Sequence, residues 1–219
     1  KTLLSRAILI SGTPGGDGSA AYLRISPLGV RDLSLNFVPS EMSVLLEEIP
    51  DTIPPFLISA AIKYSKGILH LVLDEYVGYN VTAGNDPYWS LINLTAISLT
   101  DVTGARHVPL TGATFVPEVN TSVYIILTEE QRVDAIEFSG TPGGDGHTIF
   151  LDIDAGGLTD LAGNSIAKTT NITVSEAADV IAPIVLSGVL DYATGRLTIT
   201  AQETIDASSI ITSKIYVSD

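Results

Sequence analysis

The sequence predicts an all-β chain assembled from tandem Greek-key β-sandwich units that repeat every 128 residues. Three observations predict it. Short apolar runs alternate with period two and are bounded by Gly, Pro and Asp, as half-buried strands are. The octapeptide SGTPGGDG stands at 11–18 and again at 139–146, an identity too long to arise by chance in a chain of this size. Finally, 45% of the 219 residues are hydrophobic and 16% charged, with mean hydropathy +0.35. That balance excludes disorder and supplies a sizeable core.

The 128-residue offset extends well beyond the octapeptide. Ala7-Ile8 matches Ala135-Ile136, and Asp32-Leu33 with Asn36 matches Asp160-Leu161 with Asn164. Glu48 and Asp51 match Glu176 and Asp179, and Pro55, Tyr64, Gly67, Leu69 and Glu75 match Pro183, Tyr192, Gly195, Leu197 and Glu203. Near the end the offset falls to 118, because Ile97–Asp101 aligns with Ile215–Asp219 and the loop around 78–88 has no counterpart. The chain therefore reads as the back part of one unit (1–50), a complete unit (51–178) and the front part of a third (179–219). It opens on Lys-Thr-Leu-Leu-Ser-Arg, with neither an initiator Met nor a signal peptide. This reads as a slice of a longer array, or as a mature subunit whose open ends neighbouring subunits complete.

Within the complete unit, strands are expected near 56–63, 67–75, 92–100, 107–116, 121–127, 147–154 and 168–175. Leu69, Leu71 and Leu73 fall on one face of the second run, with His70, Val72 and Asp74 on the other. Val, Ile, Thr and Tyr recur in these runs, as pleated surfaces favour. One helix of about two turns is expected over Thr128–Ile136, where Thr128 and Gln131 fit a capping box and Glu129 and Glu130 occupy the first turn. About seven strands separated by turn signals argue for a sandwich. An up-and-down barrel is disfavoured by the DTIPP and DVIAP linkers.

Those residues carry a resemblance. The opening Asp51-Thr-Ile-Pro-Pro, the Gly67-Ile-Leu-His-Leu-Val-Leu-Asp-Glu75 run, the closing Leu158-Thr-Asp-Leu-Ala-Gly-Asn164 turn and the LTEEQRVDAIEFSGTPGGDG stretch are similar to Ig-like repeats of large prokaryotic surface proteins. Repeats of archaeal surface-layer (S-layer) proteins look nearest. The first copy departs from the pattern, since Arg31–Asn36 lacks the Ala-Gly. The resemblance covers essentially the whole chain. It implies an Ig-like fold and a spacer or lattice-building role outside the cell, and no enzymatic activity.

Charge and motif content narrow the function classes. Acids outnumber bases 25 to 11, for a net charge of −14, which repels phosphate backbones and argues against nucleic acid and anionic membranes as partners. No Cys is present, so disulfides and thiolate metal sites are excluded. No apolar run approaches the length of a membrane span. SGTPGGDG lacks the Lys-Ser/Thr ending of a phosphate loop and precedes a strand, so it reads as a tight turn. His70, His107 and His147 have no metalloprotease spacing and no nucleophile elbow beside them.

Two candidate chemistries remain. Acids gather at the linkers and near the unit ends: Glu48, Asp51, Glu75, Asp160 with Asn164, Glu176 and Asp179. They are hard oxygen donors from adjoining beads that suit calcium and would stiffen a joint; the alternative is a solvated acidic surface. The run Asp152-x-Asp154-x-Gly156 resembles a calcium loop, but Arg24-x-Ser26 stands at its counterpart. Four Asn-x-Ser/Thr sequons, at Asn80, Asn93, Asn120 and Asn171, exceed the one or two expected from seven Asn and 42 Ser and Thr, as an N-glycosylated exterior protein would show. The leading expectation is thus a structural surface module that self-associates with identical subunits. A filament subunit completed by strand exchange is a second reading. An adhesin or carbohydrate-binding stalk, presenting Trp89 with Tyr76, Tyr79 and Tyr88, is a third.

Overall fold

In the computed structural model, which describes residues 6–77, 92–116 and 120–218, the alternating runs of the central segment form one curled eight-stranded sheet. In chain order the strands are β1 (Tyr22–Ile25), β2 (Met42–Leu45), β3 (Leu57–Lys63), β4 (Ile68–Val77), β5 (Ile97–Thr100), β6 (His107–Pro109), β7 (Thr114–Phe115), β8 (Asn120–Ile126), β9 (Phe150–Ile153), β10 (Thr169–Ala177), β11 (Val185–Asp191) and β12 (Arg196–Ala201). The central sheet runs β6-β5-β9-β10-β3-β4-β8-β7, while β1-β2 and β11-β12 are separate two-stranded ladders. β10 pairs parallel with β3, Val174 facing Ala60, and the other pairings are antiparallel.

Alternation decides which face is buried. Leu69, Leu71 and Leu73 of β4 are at most 2% exposed and meet Ile97, Leu99, Ile125, Leu151 and Ile153 in one core. Each such side chain contributes about 1.5–3 kcal/mol on burial. β3 turns into β4 through a short 3-10 turn, Tyr64–Lys66, closed by Gly67 in the left-handed region at φ 59°, a conformation that Gly adopts without a Cβ penalty.

The two edge strands, β6 and β7, are successive in the chain, so the sheet's outer edges are tied by residues 110–113. Helix α1 (Glu129–Glu137) closes that seam. Its buried Gln131 donates from Nε2 to the carbonyl oxygens of Pro109 and Thr111, at 2.8 and 2.9 Å. Thr128 accepts from the Gln131 amide and the Gln131 side chain accepts from the Thr128 amide, completing the expected capping box. Arg106 braces the far end, pairing with Glu137 at 2.8 Å and lying over the Phe138 ring.

Three strand expectations need correcting. The run 92–100 is a strand only from Ile97, because the Asn93 side chain accepts from the Thr95 amide and turns Leu94–Ala96 into a 3-10 helix. The run 107–116 breaks into β6 and β7, with Gly112 at φ 90° between them. The expected strand at 147–154 begins only at Phe150.

The flanking segments differ from the centre in burial. β1 and β2 expose Leu23, Val44 and Leu45, and β11 and β12 expose Val185, Leu197 and Ile199. At the repeat offset, the counterparts of Leu23, Val185, Leu197 and Ile199 are the core residues Leu151, Leu57, Leu69 and Leu71.

Candidate functional site

Three polar assemblies gather at the ends of the central bead, and the acids singled out in the sequence divide among them. The first is structural. Glu176, at the end of β10, accepts from the Tyr64 phenol at 2.9 Å and from the Gly140 amide at 3.1 Å. Tyr64 is fully buried, and burial together with the Glu176 carboxylate pushes its phenol above the ordinary range. Glu48 does the same work in the first copy, accepting from the amides of Gly12 and Ala21 at 3.3 Å. These two carboxylates thus anchor the SGTPGGDG loops. Within each loop the hydroxyls of Ser11 and Thr13, or of Ser139 and Thr141, bond one another at 2.7 and 2.8 Å. Gly18 donates to Ser11 and Gly146 to Ser139, both at 3.0 Å. A Cβ at Gly16 or Gly144 would fall on the carbonyl of Ser11 or Ser139.

The second assembly is acidic. Asp51, Glu75 and Asp160 each place a carboxylate oxygen within 4.8 Å of the others. Asp160 is 2% exposed, held by a tight turn in which Asn164 donates its amide to Oδ1 at 2.8 Å and its side chain to Oδ2 at 2.9 Å. Asn164 Nδ2 also reaches the Asp51 carbonyl at 3.2 Å, tying the closing turn to the opening linker. The first copy repeats this turn without the Ala-Gly: Asp32 accepts from Asn36 at 2.8 and 3.0 Å. There Leu35 takes φ 69° where the complete unit has Gly163 at φ 93°. Three convergent carboxylates are a hard donor set, suited to a divalent cation with oxygen ligands at about 2.3–2.6 Å.

The third assembly is a clamp that sequence reasoning missed. Arg132 of α1 is 8% exposed. Its guanidinium bonds Glu129 at 2.7 and 2.8 Å, Asp179 at 2.6 Å and Glu203 at 3.3 Å. Glu129 in turn accepts from the Thr204 amide at 2.8 Å. The Arg132 bond, seconded by Thr204, holds the Glu129 carboxyl down to about 2, while its acidic partners raise Arg132. Asp179 and Glu203 are the repeat counterparts of Asp51 and Glu75. In one place the acid pair meets a third acid, and in the other it meets a cation of the preceding bead. The sequence signal was an Arg three residues after Glu129 in the first helical turns, an ion-pair spacing.

Of the sequons, Asn93 and Asn171 are exposed. The Asn93 Oδ1 accepts from the Thr95 hydroxyl at 2.7 Å. Asn171 sits at φ 58° on a bulge of β10, its amide donating to Asp152. Asn80, Trp89, Tyr79 and Tyr88 lie outside the described residues, as does the side chain of Asn120. Asp154 pairs with Lys168 at 2.7 Å, so the Asp152-x-Asp154 run is tied to a surface lysine. His70 stacks on Tyr124 at 4.4 Å. Among the described residues no helix is long and apolar enough to cross a membrane.

Compared with protein-family models, with curated proteins and with solved structures, the chain finds no match.

Proposed function

We propose that the chain is a non-catalytic structural module of an extracellular cell-surface protein of the S-layer type. Ig-like Greek-key beads repeating every 128 residues would stack into a lattice or stalk. The observation that carries this reading is the Arg132 clamp. A nearly buried guanidinium is shared between the helix of one bead and two acids at the start of the next segment. Such a joint sets the direction of the following bead, which is what a load-bearing array needs and a flexible tether lacks. The strongly acidic composition and a β architecture joined by short linkers agree with it.

Calcium has its place in this reading at Asp51, Glu75 and Asp160. The counterparts of the first two already hold a cationic group, the Arg132 guanidinium. The position 128 residues before Arg132 is Leu4, so a divalent ion would supply the positive charge there. Glycans at Asn93 and Asn171 would project from exposed backbone. The test is to isolate the protein from its source cells. Release by protease from intact cells, with intact mass increased by sugar, is expected; unmodified protein protected inside intact cells overturns the reading.

A further inference from the structure

The two SGTPGGDG loops share one internal structure but not one set of neighbours. We propose that the octapeptide is a docking element between successive units: the arch at residues 13–16 of one unit seats the closing turn of the next, at Leu161 and Ala162. This rests on the tandem-bead reading above, and it names the surfaces that meet at the joint before the central bead.

Two glycines carry the argument. Gly15 and Gly143 hold the same place in identical loops, and both lie in the left-handed region, at φ 90° and 97°. Among the described residues, a Cβ on Gly143 would meet the Ile136 Cγ2 at 3.4 Å and nothing closer. A Cβ on Gly15 would overlap the carbonyl of Leu161 and come within 3.1 Å of the Ala162 Cα. The loop's own path thus asks for left-handed backbone at both positions, but at Gly15 a neighbouring unit also leaves no room for a side chain. Gly16 and Gly144 show the converse. Each is closed in by carbonyls of its own copy, those of Ser11 and Ile8 or of Ser139 and Ile136. Burial agrees with a docked arch: Leu161 is 5% exposed yet stands apart from the core cluster of the central sheet.

Both surfaces are fixed by bonds of their own. In the arch, Gly16 donates to the Thr13 carbonyl and Gly18 to the Ser11 carbonyl, each at 3.0 Å, while Glu48 accepts from the Gly12 amide. In the closing turn, Asp160 donates its amide to the Asn164 carbonyl at 3.0 Å, and the Asn164 side chain holds both Asp160 and the Asp51 carbonyl. Parts that are already ordered lose little freedom when they dock. Contact between two backbones also fixes direction without relying on long side chains. The two joints of the chain therefore differ in chemistry. Backbone packing at Gly15 sets the segment before the bead, and the Arg132 ion pairs set the segment after it.

The absence of Cys allows spin labels at Ser43→Cys in β2 and Thr170→Cys in β10 of the full 219-residue chain. One narrow distance distribution is expected. It should be lost in Gly15→Ala and kept in Gly143→Ala, which puts the same left-handed strain on an identical loop. Hydrogen exchange of the β1-β2 amides, expected to be unchanged in both variants, reads the folding of the first segment separately. The proposal is overturned if the otherwise native chain already gives a broad distribution, or if Gly15→Ala keeps the narrow one. It is equally overturned if Gly15→Ala broadens the distribution only with loss of β1-β2 protection, or if Gly143→Ala broadens it as much. None of these results bears on release from intact cells or on glycan mass, so the two readings fail separately.

Discussion

Glu176 shows how one carboxylate ties distant parts of a bead together. It joins the β3–β4 turn, through Tyr64, to the loop after α1, through Gly140. Tyr64→Phe removes the phenol bonded to that carboxylate and is expected to cost about 1.5–3 kcal/mol in denaturant unfolding; an unchanged midpoint would count against the role. The acidic trio gives a second prediction at this scale. Calcium at ten times its dissociation constant should stabilise the chain by about 1.4 kcal/mol. The accompanying rise in melting temperature should vanish in Glu75→Gln, and a rise that persists in that variant places the ion elsewhere. The sequence showed seven candidate oxygen ligands but not which of them converge. Glu48 and Glu176 each lie 36 residues after the glycine whose amide they accept. That shared spacing marked a role common to both copies, but its nature depends on backbone positions that only the fold supplies.

Among the elements, α1 was the most legible, because its cap, first-turn acids and length are all local. Thr128→Ala should destabilise the bead by about 1 kcal/mol, and an effect near zero would mean that packing alone holds the helix. β4 was equally plain, since its alternation is long and both its neighbours, β3 and β8, are present. The runs at 92–100 and 107–116 were less so. Their apolar alternation continues through residues that side-chain hydrogen bonds and a left-handed Gly pull out of the ladder. The SGTPGGDG loops were correctly read as turns. Gly144→Ala, whose added Cβ would meet the Ser139 and Ile136 carbonyls, should cost about 1–3 kcal/mol in thermal or chemical unfolding.

At the scale of the whole molecule, an eight-stranded sheet is accompanied by two separate two-stranded ladders, and Arg132 ties α1 to Asp179 and Glu203. The repeat offset led to the expectation of partial units at 1–50 and 179–219, and in the structure apolar side chains of β1, β2, β11 and β12 are exposed. Arg132 escaped notice because its partners, Asp179 and Glu203, lie 47 and 71 residues away. The joint has a pH dependence of definite sign. Glu129 is held below its ordinary value of 4.5, to about 2, so its contribution is complete above about pH 4.5 and is lost as the pH falls toward 2. Exposure of that side chain keeps the contribution modest.

The most direct test of a direction-setting joint is a distance distribution between spin labels at Thr148→Cys in the bead and Thr198→Cys in the following hairpin. One narrow distribution is expected for the otherwise native chain at neutral pH, broadening in Arg132→Leu. A broad distribution in both, or a narrow one that the Arg132 substitution leaves unchanged, contradicts the account.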